Sequence, residues 1–183
     1  MQVRGLAPLN PSIYRQLELS DNYANTKYGI QTNAALGGLL MTKLAEQLRR
    51  HEGASEKDGY HFPYICPAKK LTIGYGRNIE ERGISEDEAE YLLSNDIKLS
   101  ELELSKAFPW FNKLAPVRQA VLINMHFNIG LARLKGFAKA LAAIERGDYK
   151  AASGEMLDSK WARQVGNRAT ELAKQMETGQ WQS

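Results

Sequence analysis

The chain has 183 residues, of which 43% are hydrophobic and 25% charged, a balance that fits one compact domain or two lobes sharing a core. The net charge of +3 suits approach to an anionic polymer such as cell wall. Because no basic run exceeds two residues, we do not expect nucleic acid as a partner. The single cysteine, Cys66, excludes an intramolecular disulfide, and no apolar stretch reaches the roughly 18 residues of a membrane span. We therefore expect neither an export signal nor a membrane anchor.

The first 32 residues are polar and interrupted by prolines, and their hydrophobic residues follow no helical or strand period. We interpret residues 1–32 as an N-terminal extension that precedes a domain of residues 33–183. It is either a packed or frayed terminus or an element that governs delivery or wall contact.

The first predicted helix follows from leucines that recur every four residues over residues 36–48. It begins near Asn33 and ends near His51, because Gly53 is a natural stop. Glu52 therefore lies at the helix C-terminus, where the negative end of the macrodipole disfavours a charged carboxylate.

One β region is predicted after this helix, within residues 53–78, a segment rich in glycine, proline, tyrosine and β-branched residues. The piece from Lys70 to Gly76 has the pattern of a short strand with glycine bends. This region predicts a small β lobe.

A second long helix is predicted from a capping box, in which the Ser85 side chain and the Glu88 side chain each bond the other residue's amide. Its leucines and isoleucines continue to about Ala107, roughly 20 residues or ~30 Å, which is long enough to connect two lobes. Further helices follow, broken at Gly130, Gly136, Gly147 and Gly166.

Together these elements predict an α+β protein. A lobe of residues 33–84 is joined by a linking helix of residues 85–107 to a helical C-terminal lobe of residues 108–183.

Three residues of the first lobe could carry chemistry: Glu52, Cys66 and Thr72. Each alone is weak evidence. A glutamate before a glycine is usually an exposed helix end, a lone cysteine is usually a small buried hydrophobe, and a threonine in a strand is ordinarily a strand former.

The segments around these three residues resemble the active-site lobe of phage-type lysozymes, glycoside hydrolase family 24, whose members include T-even phage lysozymes. The resemblance covers about residues 42–181. In the first lobe it is carried by Arg49-Arg50-His51-Glu52-Gly53, Tyr64-Ile65-Cys66-Pro67-Ala68 and Thr72-Ile73-Gly74-Tyr75-Gly76. In the second lobe it is carried by residues 124–130, Gly136-Phe137, Ser159-Lys160-Trp161, Asn167-Arg168-Ala169 and Thr178-Gly179-Gln180-Trp181.

The resemblance implies a lysozyme-like fold, mainly helical, with a small antiparallel β lobe and a cleft where the lobes meet. It also implies a catalytic set of the glutamate-cysteine-threonine branch, with Glu52 as the general acid, Cys66 in the second position and Thr72 in the third. The family's substrate contacts fall on Tyr75, Gly76, Phe127 and Arg168, and also on Ala140 and Glu155. Arg168 matches the family arginine that pairs with the catalytic glutamate.

The chain departs from the family pattern at two places. The spacing from Glu52 to Cys66 is longer than usual, which predicts an extra loop over residues 54–58 and makes Asp58 a competitor for the second catalytic role. We rank Cys66 first, because Cys-Pro-Ala before the Thr-Ile-Gly strand matches the cysteine branch. The second departure is Arg77, which stands where many members have histidine.

These groups suit the cleavage of a glycosidic bond, which needs a proton for the leaving oxygen and a second group for the sugar cation. Glu52 supplies the proton. Cys66 either attacks the anomeric carbon or activates a water molecule, and Thr72 positions that water by its hydroxyl. The three histidines, His51, His61 and His126, form no ligand-spaced pair, and we expect neither a metal nor another cofactor.

The resemblance therefore implies a muramidase, an endolysin that hydrolyses the β-1,4 bonds between N-acetylmuramic acid and N-acetylglucosamine in bacterial peptidoglycan. The alternatives are a lytic transglycosylase and a non-catalytic peptidoglycan-binding phage component. We expect a monomer without stable membrane insertion. It resides in the host cytoplasm before lysis and acts on periplasmic peptidoglycan after holin-type release.

Overall fold

The computed structural model describes the backbone of residues 34–182 and the side chains of residues 42–182. The predicted extension of residues 1–32 lies outside the described residues. The described chain divides in sequence into two compact units, one up to Gly83 and one from Ile84 onward. Most of its elements are helices, and its sheets are small and antiparallel, which confirms the predicted lysozyme-like α+β fold class. The predicted lobe boundaries stay a prediction.

The described part of the first unit begins with helix α1, Ala34–Glu52, whose end confirms the predicted position of Glu52 in the last turn. Gly53 follows with a φ of +65°, a left-handed conformation that ends the helix at little cost to a glycine. The last turn is basic, with Arg49, Arg50 and His51, and cations are favourable at a helix C-terminus.

The sheets of the first unit contain more strands than predicted. Only residues 71–73 of the predicted strand at 70–76 pair as a strand, and four further strands flank them. The five are β1 Glu56–Lys57, β2 Tyr60–His61, β3 Tyr64–Ile65, β4 Leu71–Ile73 and β5 Arg77–Asn78. Strands β1 and β2 form a hairpin, and β3, β4 and β5 form an antiparallel sheet in that order. Strands of two or three residues are too short to show a period, which is why the sequence pattern missed them.

The predicted extra loop at residues 54–58 is wrong for residues 56–58, which form strand β1 and the first turn residue of the β1–β2 hairpin. Its two central residues, Asp58 and Gly59, both have positive φ values, of +53° and +82°. A two-residue type I′ turn needs such values at both positions, and Asp-Gly is a favoured pair for it. The turn therefore gives Asp58 a structural role, and its competing catalytic role stays a prediction.

The β3–β4 hairpin is closed by a three-residue loop of Pro67, Ala68 and Lys69. The Lys69 amide donates to the Cys66 carbonyl at 2.8 Å, and the Cys66 amide donates to the Lys70 carbonyl at 3.0 Å. Proline suits the first corner of such a turn, and the last loop residue takes a left-handed conformation, with φ of +60° at Lys69. The loop fixes Cys66 at the end of β3.

A short helix, α2 Ile79–Arg82, completes the first unit, and the second unit opens with α3, Glu86–Ala107. The predicted capping box is present. The Glu88 amide donates to Ser85 Oγ at 3.3 Å, and the Ser85 amide donates to the Glu88 carboxylate at 2.7 Å. Both the start and the end of α3 confirm the prediction.

The rest of the second unit is helical around an apolar core. After a 3₁₀ turn at Phe111–Lys113 come α4 Pro116–Lys135, α5 Ala138–Glu145, α6 Tyr149–Leu157, α7 Lys160–Val165 and α8 Asn167–Thr178. The predicted glycine breaks are confirmed: Gly130 is non-helical inside α4, and the other three lie between helices. The largest fully buried side chains are Leu104, Phe111, Val121, Leu122, Met125, Leu134, Met156 and Met176. None of the described helices combines the length and apolarity needed to cross a membrane.

The left-handed backbone at Lys69 gives a stability prediction. Replacing Lys69→Gly should raise the free energy of unfolding by about 0.5–1 kcal/mol, because the strain of a side chain at positive φ exceeds the entropy cost of a glycine. Urea unfolding followed by circular dichroism measures the change. The matched control is Ala68→Gly, which lacks positive φ and should destabilise. Equal destabilisation by both substitutions would contradict this account of the turn.

Candidate active site

The Glu52 side chain rests on the open face of Gly76. A methyl group on Gly76 would lie 3.0 Å from Glu52 Oε2 and 3.3 Å from its Cδ, closer than most real side-chain contacts. Gly76 also has a φ of +82°, a conformation that favours glycine. The backbone conformation favours glycine here, and a side chain would displace the Glu52 carboxyl group by a few tenths of an ångström. The structure therefore brings the predicted acid and the predicted residue Gly76 together.

The turn of α1 that carries Glu52 makes a second contact with the same segment. The Arg49 guanidinium carbon lies 5.5 Å from the centre of the Tyr75 ring, within the range of a cation–π interaction. The His61 ring packs edge-on against the Tyr75 ring, with 4.9 Å between the two ring centres. Tyr75 is a predicted substrate contact, as is Gly76. The Tyr75–Gly76 segment is thus held by the helix end and by the β1–β2 hairpin.

Cys66 is half-buried and its thiol is surrounded by hydrogen-bond donors. The backbone amide of Lys70 hydrogen-bonds the sulfur and lowers the pKa of the Cys66 thiol, and a hydrogen bond from the Thr72 side chain lowers this pKa further. Partial desolvation opposes them, and the net pKa lies below the usual range. A lowered pKa increases the thiolate fraction at neutral pH, and the thiolate is the reactive form.

Thr72 lies in the middle of the three-stranded sheet, on β4 and opposite Tyr64 of β3. Thr72 is only 2% exposed, and it is the only fully buried residue among the described side chains of the first unit. Its Oγ1 lies 3.1 Å from the Lys70 carbonyl oxygen, to which it can donate. A hydroxyl has one proton, so Thr72 gives it either to that carbonyl or to the Cys66 sulfur, and ionisation of the thiol favours the sulfur.

The structure thus brings together two pairs of predicted residues in the first unit. Glu52 contacts Gly76, and Thr72 hydrogen-bonds Cys66. Thr72 and Gly76 are four residues apart on one segment, so their α-carbons are separated by at most about 14 Å. The acid and the thiol are therefore anchored to the same short stretch of chain. The roles of these residues stay predictions, as does the competing role of Asp58.

The predicted substrate contacts of the second unit fall into two places. Phe127 and Arg168 line one depression of about 310 Å³, together with Leu93, Ile97 and Trp181 among others. Ala140 and Glu155 line a separate pocket of about 720 Å³.

Arg168 is oriented by a neighbour that the sequence did not suggest. Its Nε and one terminal nitrogen donate to Asn124 Oδ1 at 2.9 Å and 2.6 Å, and the same terminal nitrogen reaches the Asn124 carbonyl at 3.3 Å. This fork geometry fixes the guanidinium plane. The predicted pairing of Arg168 with the catalytic glutamate stays a prediction.

Arg77, the second predicted departure from the family pattern, also has a clear contact. Its Nε and a terminal nitrogen donate to the Gly83 carbonyl at 3.2 Å and 3.0 Å. The arginine therefore fastens strand β5 to the residue that ends the first unit.

Sequence reasoning named Arg49, His61 and the segment of Asn124 but predicted none of their contacts in the site, and it did not predict the contact of the Lys70 amide. One signal was available, because the Asp58-Gly59 dipeptide favours a hairpin that places His61 on a strand. The other contacts join residues through tertiary packing, which no local pattern encodes. Within the described residues, no three His, Cys, Asp or Glu side chains gather as a metal site would require.

Comparison with known proteins places these motifs in a family. A family model described as phage lysozyme matches residues 49–178. The chain belongs to the phage lysozyme family. The matched region contains the three predicted catalytic residues and all six predicted substrate contacts.

Two curated proteins of Dictyostelium discoideum are similar to this family member. "Probable T4-type lysozyme 2" is 30% identical over 103 residues, which cover 55% of this chain and 61% of that protein. "Probable T4-type lysozyme 1" is 27% identical over 99 residues, which cover 52% and 58%. The matches thus span about three fifths of the length of these relatives.

The hydrogen bond between Thr72 and the thiol gives a test of the site geometry. Thr72→Val removes the hydroxyl at nearly constant volume, so the pKa of Cys66 should rise and the thiolate fraction at pH 7 should fall. We expect iodoacetamide to alkylate Cys66 several-fold more slowly, with the midpoint of the rate–pH curve at higher pH. Thr72→Ser keeps a hydroxyl and should preserve both. An unchanged midpoint in a folded Thr72→Val protein would show that Thr72 does not hydrogen-bond the sulfur.

Proposed function

We propose that this protein is a muramidase that hydrolyses the β-1,4 bond between N-acetylmuramic acid and N-acetylglucosamine in bacterial peptidoglycan. One observation carries the proposal: a carboxyl group on Gly76 and a thiol of lowered pKa beside Thr72 are anchored to the same short segment. Hydrolysis of a glycosidic bond needs an acid and a nucleophile or base. Membership of the phage lysozyme family supports this assignment, as do the printed names of the two relatives.

Glu52 is the general acid of the proposed reaction. Its carboxyl group gives a proton to the glycosidic oxygen while the bond from that oxygen to the anomeric carbon breaks, and the leaving sugar departs as an alcohol. Gly76 has no side chain, which lets the Glu52 carboxyl group lie against its backbone. The Arg49 guanidinium group contacts the Tyr75 ring and so helps to hold the end of α1, which carries Glu52.

Cys66 is the second catalytic group. As a thiolate it either attacks the anomeric carbon, giving a thioglycosyl intermediate that water then hydrolyses, or takes a proton from the water that attacks this carbon. In both routes one water is consumed, and its hydroxyl ends on the anomeric carbon. Thr72 stabilises the thiolate and positions the water. The first route retains the anomeric configuration and the second inverts it, so proton NMR of the first-formed anomer distinguishes them.

The wider setting of this activity is part of the proposal. The protein is a monomeric endolysin of a phage, accumulates in the host cytoplasm and reaches periplasmic peptidoglycan once a holin-type protein opens the inner membrane. The rival activities differ in their products. A lytic transglycosylase leaves a 1,6-anhydro sugar, which mass spectrometry of the released fragments detects, whereas a non-catalytic component binds sacculi and releases no soluble fragment.

Removing the acid tests the proposal. Glu52→Gln should lower the release of reducing ends from purified sacculi at least ~100-fold, because an amide cannot donate the proton. It should also abolish lysis of chloroform-treated Gram-negative cells. Glu46→Gln, a matched change at an exposed glutamate of the same helix, should leave both activities intact. Full activity of a folded Glu52→Gln protein would defeat the assignment.

The thiol can be tested separately because Cys66 is the only cysteine. Complete alkylation by iodoacetamide should inactivate the enzyme, since the blocked sulfur can neither attack nor accept a proton. Cys66→Asp, which supplies a carboxylate instead, should retain part of the activity. An unchanged rate after complete modification would move the role to Asp58, for which Asp58→Asn is the deciding variant, or to water held by Thr72.

A further inference from the structure

The β1–β2 hairpin carries two exposed aromatic rings on one face. Tyr60 is 66% exposed and Phe62 is 48% exposed, although both are large apolar residues. The Phe62 amide donates to the Ser55 carbonyl at 2.8 Å, so the pairing of the hairpin continues one step beyond β1 and β2. Successive side chains of a strand alternate between faces, so Tyr60 and Phe62 lie on one face and His61 on the other.

The same face carries polar groups from the facing strand. Lys57 pairs directly with Tyr60, and the continued pairing sets Ser55 opposite Phe62. Residues directly opposite each other in an antiparallel pair lie on the same face. Ser55, Lys57, Tyr60 and Phe62 therefore form one surface, which we call the hairpin face, with two rings, an ammonium group and two hydroxyl groups.

The hairpin face backs directly onto the candidate active site. His61, on the opposite face of the same strand, packs against Tyr75 with 4.9 Å between ring centres. Tyr75 precedes Gly76, whose open face holds the Glu52 carboxylate. The hairpin face is thus continuous with the proposed catalytic groups through one layer of side chains.

We propose that the hairpin face binds a glycan strand of peptidoglycan at a second position, away from the bond that is cleaved. The inference rests on the proposed function. The C–H faces of pyranose sugars pack on aromatic rings, and alternate residues of a strand lie about 6.6 Å apart, comparable with the length of one sugar ring. Lys57 complements the carboxylates of the stem peptides that such strands carry. Exposed apolar patches with a polar rim are typical of interaction sites.

The occupant is a polysaccharide with attached carboxylates because the hairpin face offers rings and one cation together. A purely apolar partner would leave the Lys57 ammonium unmatched, and a purely anionic partner would gain nothing from two exposed rings. Binding at this face keeps the enzyme on an insoluble polymer between cleavage events.

The test measures binding to purified sacculi in a Glu52→Gln background, in which the polymer is not degraded. Tyr60→Ala/Phe62→Ala should weaken binding about tenfold, as loss of anchoring aromatic residues does in other interfaces. Tyr60→Phe/Phe62→Tyr keeps both rings and should bind within about twofold of the parent. Tyr91→Ala/Leu99→Ala removes residues of similar exposure, 52% and 49%, from α3 and should also bind like the parent. Circular dichroism melting curves confirm that each variant is folded.

Each outcome decides the inference. Equal binding by the folded Tyr60→Ala/Phe62→Ala variant and its parent would overturn it while leaving the muramidase assignment intact. Loss of binding to anionic phospholipid vesicles, with binding to sacculi unchanged, would also overturn it, because the surface would then be a membrane contact. Weakened binding by this variant, combined with no hydrolysis by the wild-type chain, would support the inference and contradict the proposed function.

Discussion

The hydrogen bonds around the Cys66 sulfur are the interaction on which the proposed chemistry depends. An ordinary cysteine thiol, with a pKa near 8.5, is only about 3% ionised at pH 7. The Lys70 amide and the Thr72 hydroxyl change this balance because each stabilises the thiolate. Both donors are available only because the Pro67–Lys69 loop reverses the chain directly after Cys66. A tight turn therefore prepares the proposed second catalytic group.

The two units position their side chains in different ways. In the first unit, side chains are positioned by turns, short hairpins and a helix end, and Thr72 is the single fully buried residue among those described. The second unit contains the large apolar core, and Phe127 and Arg168 lie on helices that pack on this core. Sites built from turns are sensitive to backbone conformation. The left-handed backbone at Lys69 and Gly76 therefore affects the positions of the proposed catalytic groups as well as the stability of the turns.

Much of the helical framework could be predicted from the sequence, since its signals are local. The leucine period and Gly53 predicted the end of α1, and the Ser85 capping box predicted the start of α3. The short strands could not be predicted, because two residues show no period. The contact of Arg168 with Asn124 joins residues 44 positions apart, and packing alone determines it. The candidate residues came from the family resemblance, whereas the amide of Lys70 emerged only from the folded hairpin.

In the proposed mechanism, Glu52 and Cys66 act on one glycosidic bond. The most direct measurement is a crystal structure of the Glu52→Gln protein with an uncleaved peptidoglycan oligosaccharide bound. We expect the bridging oxygen to lie within about 3 Å of the side chain at position 52, with the neighbouring anomeric carbon facing the sulfur directly or through one water. A bound oligosaccharide whose bridging oxygens all lie beyond hydrogen-bond reach of position 52 would contradict it.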